Sequence, residues 1–234
     1  MNKTNKETIK ETMIINEIKT IEELKNIKKN IISLIFGNHF NNKIIISQNI
    51  QHLTFNYQFN QKIIIPQNIT HLTFGPDFNK KIIMPQNITH LTFRYAFNKK
   101  IKIPQNITHL TLGFNFNKKI KLSHKITHLT YVTQHCNQKI KLTNNITHLT
   151  LRYCPNKKLK IPYTVTHLIL CYGYNKKIKI PYNVTHLTLG YNFNKKIIIH
   201  HKIIILFFDE YLIKSNKPQN KTQQKIYKQN LIKK

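Results

Sequence analysis

Residues 107–122 read Ile-Thr-His-Leu-Thr-Leu-Gly-Phe-Asn-Phe-Asn-Lys-Lys-Ile-Lys-Leu, and this stretch decides the fold. In its first half, Leu110 and Leu112 alternate with polar residues, which is the period of two expected of a strand with one buried face. A loop follows, and Ile120-Lys121-Leu122 then forms a second short alternating piece. The stretch therefore predicts two short strands joined by tight turns.

The same pattern recurs along most of the chain. The histidine of a His-Leu-Thr tripeptide, or of a close relative, returns every 19 residues with a single step of 20, and an asparagine follows the same rhythm. Both series take their extra residue between His128 and Asn137. We count ten units over roughly residues 31–211. The histidines are His52, His71, His90, His109, His128, His148, His167 and His186, and the asparagines are Asn41, Asn60, Asn79, Asn98, Asn117, Asn137, Asn156, Asn175 and Asn194.

Nineteen residues are too few for a strand, a full helix and two turns, so each unit predicts one coil of a flattened, all-β, parallel β-solenoid. Stacked coils place equivalent residues about 4.8 Å apart, and neighbours bury each other's apolar faces. Ten coils would make a rod of about 45–50 Å at that spacing. The inward columns are expected to be Leu53 to Leu187, Ile50 to Val184, the series Phe55, Phe74, Phe93 and Leu112, and the aromatic series Phe40, Phe59, Phe78, Phe97, Phe116, Tyr174 and Phe193.

The asparagine column is the most regular polar feature of the repeat. A buried asparagine can satisfy the backbone groups that tight corners leave unpaired, in its own coil and in the next one. We expect Asn117→Ala to cost about 1–3 kcal/mol through such groups.

Read as Phe-Asn-x-x-Ile-x-Ile-Pro followed by a Leu-x-Leu strand, the units resemble FNIP repeats. These are relatives of leucine-rich repeats (LRRs) found in social amoebae and in giant DNA viruses that infect amoebae. The resemblance covers about three quarters of the chain. It implies an LRR-like solenoid that acts as a scaffold for contacts with an unknown protein partner, which would be a host protein for a viral chain. Some family members carry an amino-terminal F-box, but the roughly 30 residues before the repeats lack its Leu-Pro opening.

The two ends differ from the repeats. Thr20-Ile21-Glu22-Glu23 fits a helix capping box, so residues 21–29 are predicted to form a short helix that closes the first coil. We therefore divide the chain into a helical cap with a flexible start (1–30), a solenoid (31–211) and a basic tail (212–234). The last 21 residues carry seven lysines and no acid.

Composition argues against an enzyme and against a bound cofactor or metal. The chain has 38 Lys+Arg against 8 Asp+Glu, a formal net charge of +30, and between residues 24 and 208 its only carboxylate side chain is Asp77. Paired carboxylates for acid–base catalysis or for metal binding are therefore missing. Three cysteines without a Cys-x-x-Cys pair predict neither a disulfide framework nor a thiolate zinc site.

Localisation follows from the same composition. The longest apolar run, Ile203–Phe208, is far shorter than the roughly 18 residues of a membrane span, so none is expected. With few cysteines and no signal-type opening, the expected compartment is the cytoplasm, which for a viral chain is that of the host.

The histidine and threonine columns should point away from the core, and this makes them a candidate partner-binding face. Aromatic residues four positions after the strand leucines could add anchors or could simply close the corners against one another. The repetition of a generic sheet face favours a purely structural ladder of histidines, and zinc binding between them is the least favoured alternative because no carboxylate or thiolate accompanies them. The candidate residues are His71, His90, His109, His128, His148, His167, His186, Tyr57, Tyr95, Tyr172 and Tyr191.

Lysines in the second alternating piece should form an outward stripe that attracts polyanions such as nucleic acids or acidic surfaces. The competing explanation is an A/T-rich genome, which enriches Ile, Lys and Asn without selection for binding. No nucleic-acid recognition motif accompanies the stripe, so only nonspecific nucleic-acid binding is expected. The stripe comprises Lys102, Lys121, Lys141, Lys160 and Lys179.

Overall fold

The chain forms one parallel β-sheet whose strands lie in chain order. The structure is a computed structural model that describes residues 11–15, 31–133, 140–152, 160–170, 174–175, 177–190, 193, 195, 197–198, 203 and 205–208. Each strand is paired in parallel with the next, which confirms the predicted parallel β-solenoid. The strands are β1 (Glu11–Ile15), β2 (Ile31–Phe36), β3 (His52–Phe55), β4 (His71–Phe74), β5 (His90–Phe93), β6 (His109–Leu112), β7 (His128–Val132), β8 (His148–Arg152), β9 (His167–Leu170), β10 (His186–Leu189) and β11 (Ile205–Phe208).

The strand register follows the sequence repeat residue by residue. Between β5 and β6, His90 pairs with His109 and Leu91 with Leu110. Strands β7 and β8 keep this register although they are 20 residues apart, because the extra residue lies in the connection between them. Strands are present in all ten predicted units, from β2 to β11. The connections of several units lie outside the described residues, so the count of ten complete coils stays a prediction.

The predicted inward columns form the core. Their described members are almost completely buried, as Leu110 and Phe116 illustrate. The phenylalanines interleave: the ring centroids of Phe74 and Phe78 are 3.8 Å apart within one coil, and those of Phe74 and Phe93 are 5.5 Å apart between coils. Because each coil is only one strand and one return segment thick, these stacked rings, the leucines and the buried isoleucines and valines make up its interior.

The predicted second strand of each coil is wrong. Residues such as Ile101-Lys102-Ile103 do alternate between inside and outside, but the described return segments make no backbone ladder with one another. Ring spacing explains this result. Phenylalanines of the strand side, Phe74 and Phe93, are 5.5 Å apart, whereas the return-side pair Phe78 and Phe97 are 6.1 Å apart in nearly parallel planes. Coils are thus spaced more widely at the return-side rings than at the strand-side rings, and asparagine side chains bridge them there.

Spacing between coils therefore widens steadily from one side of the solenoid to the other. On the outer surface of the sheet, the imidazoles of His90 and His109 stack at 4.0 Å, well below the 6.1 Å of the return side. Coils that are close on one side and spread on the other must curve, so the strand side is concave and the return side convex. The straight rod expected from a uniform 4.8 Å repeat is replaced by an arc.

Strand β1 lies in the segment that was predicted to be a helical cap and flexible start. It pairs in parallel with β2, with an irregularity between Glu11 and Thr12. The predicted helix over 21–29 and the basic tail over 212–234 lie outside the described residues. The described part of the chain contains no helix and thus none that could cross a membrane.

Glycines at the strand exits permit close approach of neighbouring coils. A Cβ atom on Gly113 would lie 1.2 Å from the carbonyl oxygen of Arg94, and one on Gly75 would lie 1.6 Å from that of Asn56. A side chain at Gly75 or Gly113 would therefore require movement of the preceding coil, although the same repeat position holds Asn56 and Arg94 in other coils.

Side chains hold the convex side together where the backbone ladder is missing. The Oδ1 atom of Asn79 accepts a hydrogen bond of 3.0 Å from the backbone N–H of Asn98, and that of Asn98 accepts one from Asn117. A second asparagine column, absent from the sequence interpretation, donates to the preceding coil; Nδ2 of Asn87 bonds the carbonyl oxygen of Gln67 at 3.1 Å. At Asn117 the buried Oδ1 has no partner among the described residues, and Asn137, the next member of the column, lies outside them.

This difference gives a matched pair of variants. Asn79→Ala should lower the free energy of unfolding by about 1–3 kcal/mol, because it leaves the N–H of Asn98 unpaired between two coils. Asn117→Ala removes an oxygen that accepts no bond and should cost under about 1 kcal/mol, less than the sequence alone suggested. Urea unfolding followed by circular dichroism measures both. Equal losses for the two variants would contradict this account of the asparagine column.

Candidate functional site: the histidine face

The outer surface of the sheet presents the same side chains from strand to strand. In strands β3 to β6, the first and third residues are half-buried and face outward, and the second and fourth are buried. We call this surface the histidine face: the strand histidines from His52 to His186 together with the strand threonines and Ile169 two positions after them. The strand alternation thus brings together all seven histidines that the sequence singled out.

The imidazole rings of this face form one continuous stack. From His71 to His186 the ring centroids of neighbouring histidines are 4.0–4.1 Å apart, with planes within 11–16° of parallel. At the amino-terminal end, His52 and His71 are 4.3 Å apart and tilted by 58°. The stack is tighter than a β-ladder because it lies on the concave side of the arc.

A threonine before each histidine fixes the orientation of the ring. The hydroxyl oxygen of Thr89 is 2.9 Å from Nδ1 of His90, and the same contact recurs in every coil from Thr70-His71 to Thr185-His186. That hydroxyl also lies 3.2 Å from the carbonyl oxygen of Thr70, which already accepts the backbone N–H groups of Thr89 and His90. The hydroxyl donates to that carbonyl, and its second contact holds it beside Nδ1, where the donor and acceptor roles depend on the tautomer of the ring.

The Nε2 atoms of the histidine face have no hydrogen-bond partner among the described residues. The hydrogen bonds found for these rings involve Nδ1 only. The face consists of imidazoles, threonines and one isoleucine and contains no carboxylate, lysine or arginine. It can thus form hydrogen bonds with a partner through Nε2 and pack against apolar groups.

Protonation of this row is disfavoured. Partial burial lowers the pKa of His90 below its ordinary value of 6.5, and repulsion from His71 and other rings lowers that pKa further. The pKa values of five other members are lowered for the same two reasons, with burial the larger: His71, His109, His128, His148 and His167.

The carboxy-terminal half of the histidine face contains a groove of about 370 Å³. It is lined by histidines and threonines of β7 to β10, and the strand leucines form its floor. At its centre Ile169 takes the place that threonine holds in the paired strands, Thr150 and Thr188, and is 37% exposed. An exposed aliphatic residue in a row of threonines gives this groove an apolar contact point.

The predicted aromatic anchors do not form a continuous row. Tyr57 and Tyr95 are exposed, and the ring of Tyr95 stacks on that of Phe114 at 4.9 Å, while Pro76 occupies the position between them. Tyr172 and Tyr191 lie outside the described residues. Two exposed tyrosines that the sequence analysis did not select, Tyr163 and Tyr182, occupy equivalent corners of adjacent coils.

The predicted lysine stripe is exposed on the return side, away from the histidine face; its members are Lys102, Lys121, Lys141, Lys160 and Lys179. A second lysine column lies two residues before it in the repeat. Lys100 and Lys119 of that column, together with Lys102 and Lys118, line a groove of about 620 Å³.

No geometry for a metal site is found in the described residues. Nowhere there do three His, Cys, Asp or Glu side chains come together in a group that could hold an ion. Parallel imidazoles 4.0 Å apart also direct their nitrogen atoms side by side instead of toward one point.

Comparison with known proteins identifies the repeat. The family model of the FNIP Repeat matches residues 40–75, 59–96, 97–129 and 174–205, which together make up just over half of the chain. Among solved structures, a giant-virus protein described as "CroV588 a novel circular LRR protein structure" is 35% identical, with a TM-score of 0.65. The alignment covers 81% of this chain and 32% of that one, so this chain spans about a third of its length. A search of curated proteins gave no match.

The lowered pKa values predict acid-sensitive folding. As pH falls below about 6.5, the unfolded chain takes up protons on its histidines before the folded chain does, so protons favour unfolding. The melting temperature should be constant above pH 7 and should fall steadily from pH 6.5 to 5. A variant with His90, His109 and His128 replaced by glutamine should show a shallower fall. Melting curves across this range test the prediction, and a melting temperature that rises on acidification contradicts it.

Proposed function

We propose that this chain, which belongs to the FNIP repeat family, is a non-enzymatic scaffold that binds another protein on its histidine face. The single observation that carries the proposal is the uninterrupted, uncharged row of oriented imidazoles and threonines on the concave side. Repeat solenoids commonly bind partners on such extended concave surfaces.

Chemistry of the histidine face favours a polypeptide as the partner. The Nε2 atoms of its histidines can form hydrogen bonds with the backbone of a partner, and Ile169 offers an apolar contact in the groove. A neutral face gives a polyanion no electrostatic reason to bind there, whereas a protein surface supplies both acceptors and apolar groups. The family resemblance extends this proposal to a host protein as the partner if the chain is viral, and to the cytoplasm as the place of binding.

A charge placed in the groove tests the scaffold function. Thr150→Lys with Ile169→Lys should reduce capture of the partner at least tenfold, because the new ammonium groups become desolvated against it. Gln67→Lys with Gln86→Lys adds the same charge at exposed corners away from the histidine face and is the matched control. The measurement is quantitative mass spectrometry after pull-down from nuclease-treated amoebal lysate. A protein captured equally by both variants and by the wild type would argue against this face.

Polyanion binding on the convex side is the second candidate. It rests on the doubled lysine columns, in which Lys100 and Lys102 of one coil lie beside Lys119 and Lys121 of the next, all exposed. Such a density of charge without neighbouring carboxylates would release counterions from a nucleic acid.

Salt dependence separates this candidate from loose adhesion. Replacing Lys100, Lys102, Lys119 and Lys121 by glutamine should weaken binding of a single-stranded oligonucleotide at least tenfold and reduce the salt slope by about 3. Lys125→Gln, at a corner where the ammonium group contacts Asn106, serves as the control. Fluorescence anisotropy at several salt concentrations measures both quantities. An unchanged slope in the fourfold variant would place the binding elsewhere on the chain.

A further inference from the structure

The outward position of the return segment changes its chemistry along the solenoid. In the middle coils it is the lysine stripe, but in the three preceding coils the equivalent residues are Ile45, Ile64 and Ile83. We call these three residues the isoleucine ridge. The same position is again isoleucine at Ile198, separated from the ridge by all five lysines.

The ridge is exposed to a degree that folding alone does not explain. Ile45, Ile64 and Ile83 are 70%, 90% and 89% exposed, whereas the residues that follow them are buried. Alternation along the return segment thus fills the interior without these side chains. Three such residues in consecutive coils lie about 6 Å apart along the convex side, where the ring spacing is 6.1 Å.

Lysines flank the ridge along its whole length. Lys43, Lys62 and Lys81 precede the three isoleucines by two residues, so alternation places them on the same side, and all are exposed. The only carboxylate between residues 24 and 208 is Asp77. An aliphatic line therefore lies parallel to a line of positive charge.

We propose that the isoleucine ridge and its flanking lysines dock the convex side onto an anionic lipid bilayer. Aliphatic side chains enter the boundary between headgroups and acyl chains, while lysines beside them contact the anionic headgroups. The isoleucine ridge thus matches the acyl-chain boundary of such a surface, and the flanking lysines match its anionic headgroups. Docking of this kind is peripheral and needs no membrane-spanning segment.

Composition favours a bilayer over the two other classes of partner. Protein interfaces are enriched in aromatic residues and arginine and depleted in lysine, but the ridge and its flank contain only isoleucine and lysine. Single-stranded nucleic acids stack on aromatic rings, which residues 43–46, 62–65 and 81–84 lack. The ridge also projects from the surface, as its exposure shows, and a projecting aliphatic line suits a fluid surface better than a shaped pocket does.

This inference is independent of the proposed scaffold function, because the histidine face and the ridge lie on different sides of the coil. A protein that docks through its convex side leaves the concave side open to a partner. Failure of either proposal leaves the other intact.

Co-sedimentation of the full chain with vesicles tests the docking surface. Vesicles of phosphatidylcholine with 30 mol% phosphatidylserine are compared with pure phosphatidylcholine vesicles at about 0.15 M salt, a composition and ionic strength that leave a negative surface potential. We expect strong partition onto the anionic vesicles only. Ile64→Thr should lower this partition about tenfold, since one exposed aliphatic side chain no longer leaves water.

Ile198→Thr is the matched control, because it removes the same side chain from the same repeat position outside the ridge. It should change partition less than twofold, and melting curves should show both variants folded. Replacing Lys43, Lys62 and Lys81 by glutamine should also weaken binding at least tenfold.

Four results would overturn the proposal. The first is no partition onto anionic vesicles, and the second is partition that Ile64→Thr leaves unchanged, which would show charge attraction alone. The third is an equal loss for Ile64→Thr and Ile198→Thr, which would show a general effect of surface hydrophobicity. If a single-stranded oligonucleotide displaces the vesicles completely and its own binding does not depend on Ile64, the convex side is a nucleic-acid surface instead.

Discussion

The backbone ladder between identical strands is the constraint on which the whole structure depends. It fixes the spacing of coils on the strand side, so each side chain lies at a set distance from the equivalent side chain of the next coil. Leucine and phenylalanine stack at this distance in the interior, and histidine stacks on the outer surface. On the return side, where no ladder forms, phenylalanine rings set a wider spacing of about 6.1 Å. The curvature of the solenoid follows from these two unequal spacings.

Much of this fold could be predicted from the sequence because each position of a repeat occurs many times along the chain. The columns headed by Leu53 and Phe40, the parallel register and the outward histidines all follow from alternation and period. The return strand was misread because alternation around Lys102 reports burial, whereas a strand also needs a neighbour within hydrogen-bonding distance. Alternation cannot show that distance, since it is set by ring packing across the coil.

The candidate surfaces likewise combine features that the sequence pattern predicts with features that only the three-dimensional structure shows. Outward placement of His109 and Lys121 followed from the pattern, but the hydrogen bond that orients each ring and the stacking distance depend on three-dimensional geometry. The isoleucines of the ridge were overlooked for a different reason. Ile64 reads as core in any scale of hydrophobicity, and only its register with Lys102 shows that it faces outward. Comparing a residue with its counterparts in other coils is thus more informative than its own chemistry.

The extra residue between His128 and Asn137 has a consequence for cooperativity. Two buried oxygen atoms, Oδ1 of Asn117 and Oγ1 of Thr143, have no partner in the described part of the chain and lie on either side of it in sequence. In a linear array each unit is stabilised only through its immediate neighbours, so one weak junction divides the array into two blocks. Opening at this junction would uncouple the block that bears the isoleucine ridge from the one that bears most of the concave groove, as a hinge does between two domains.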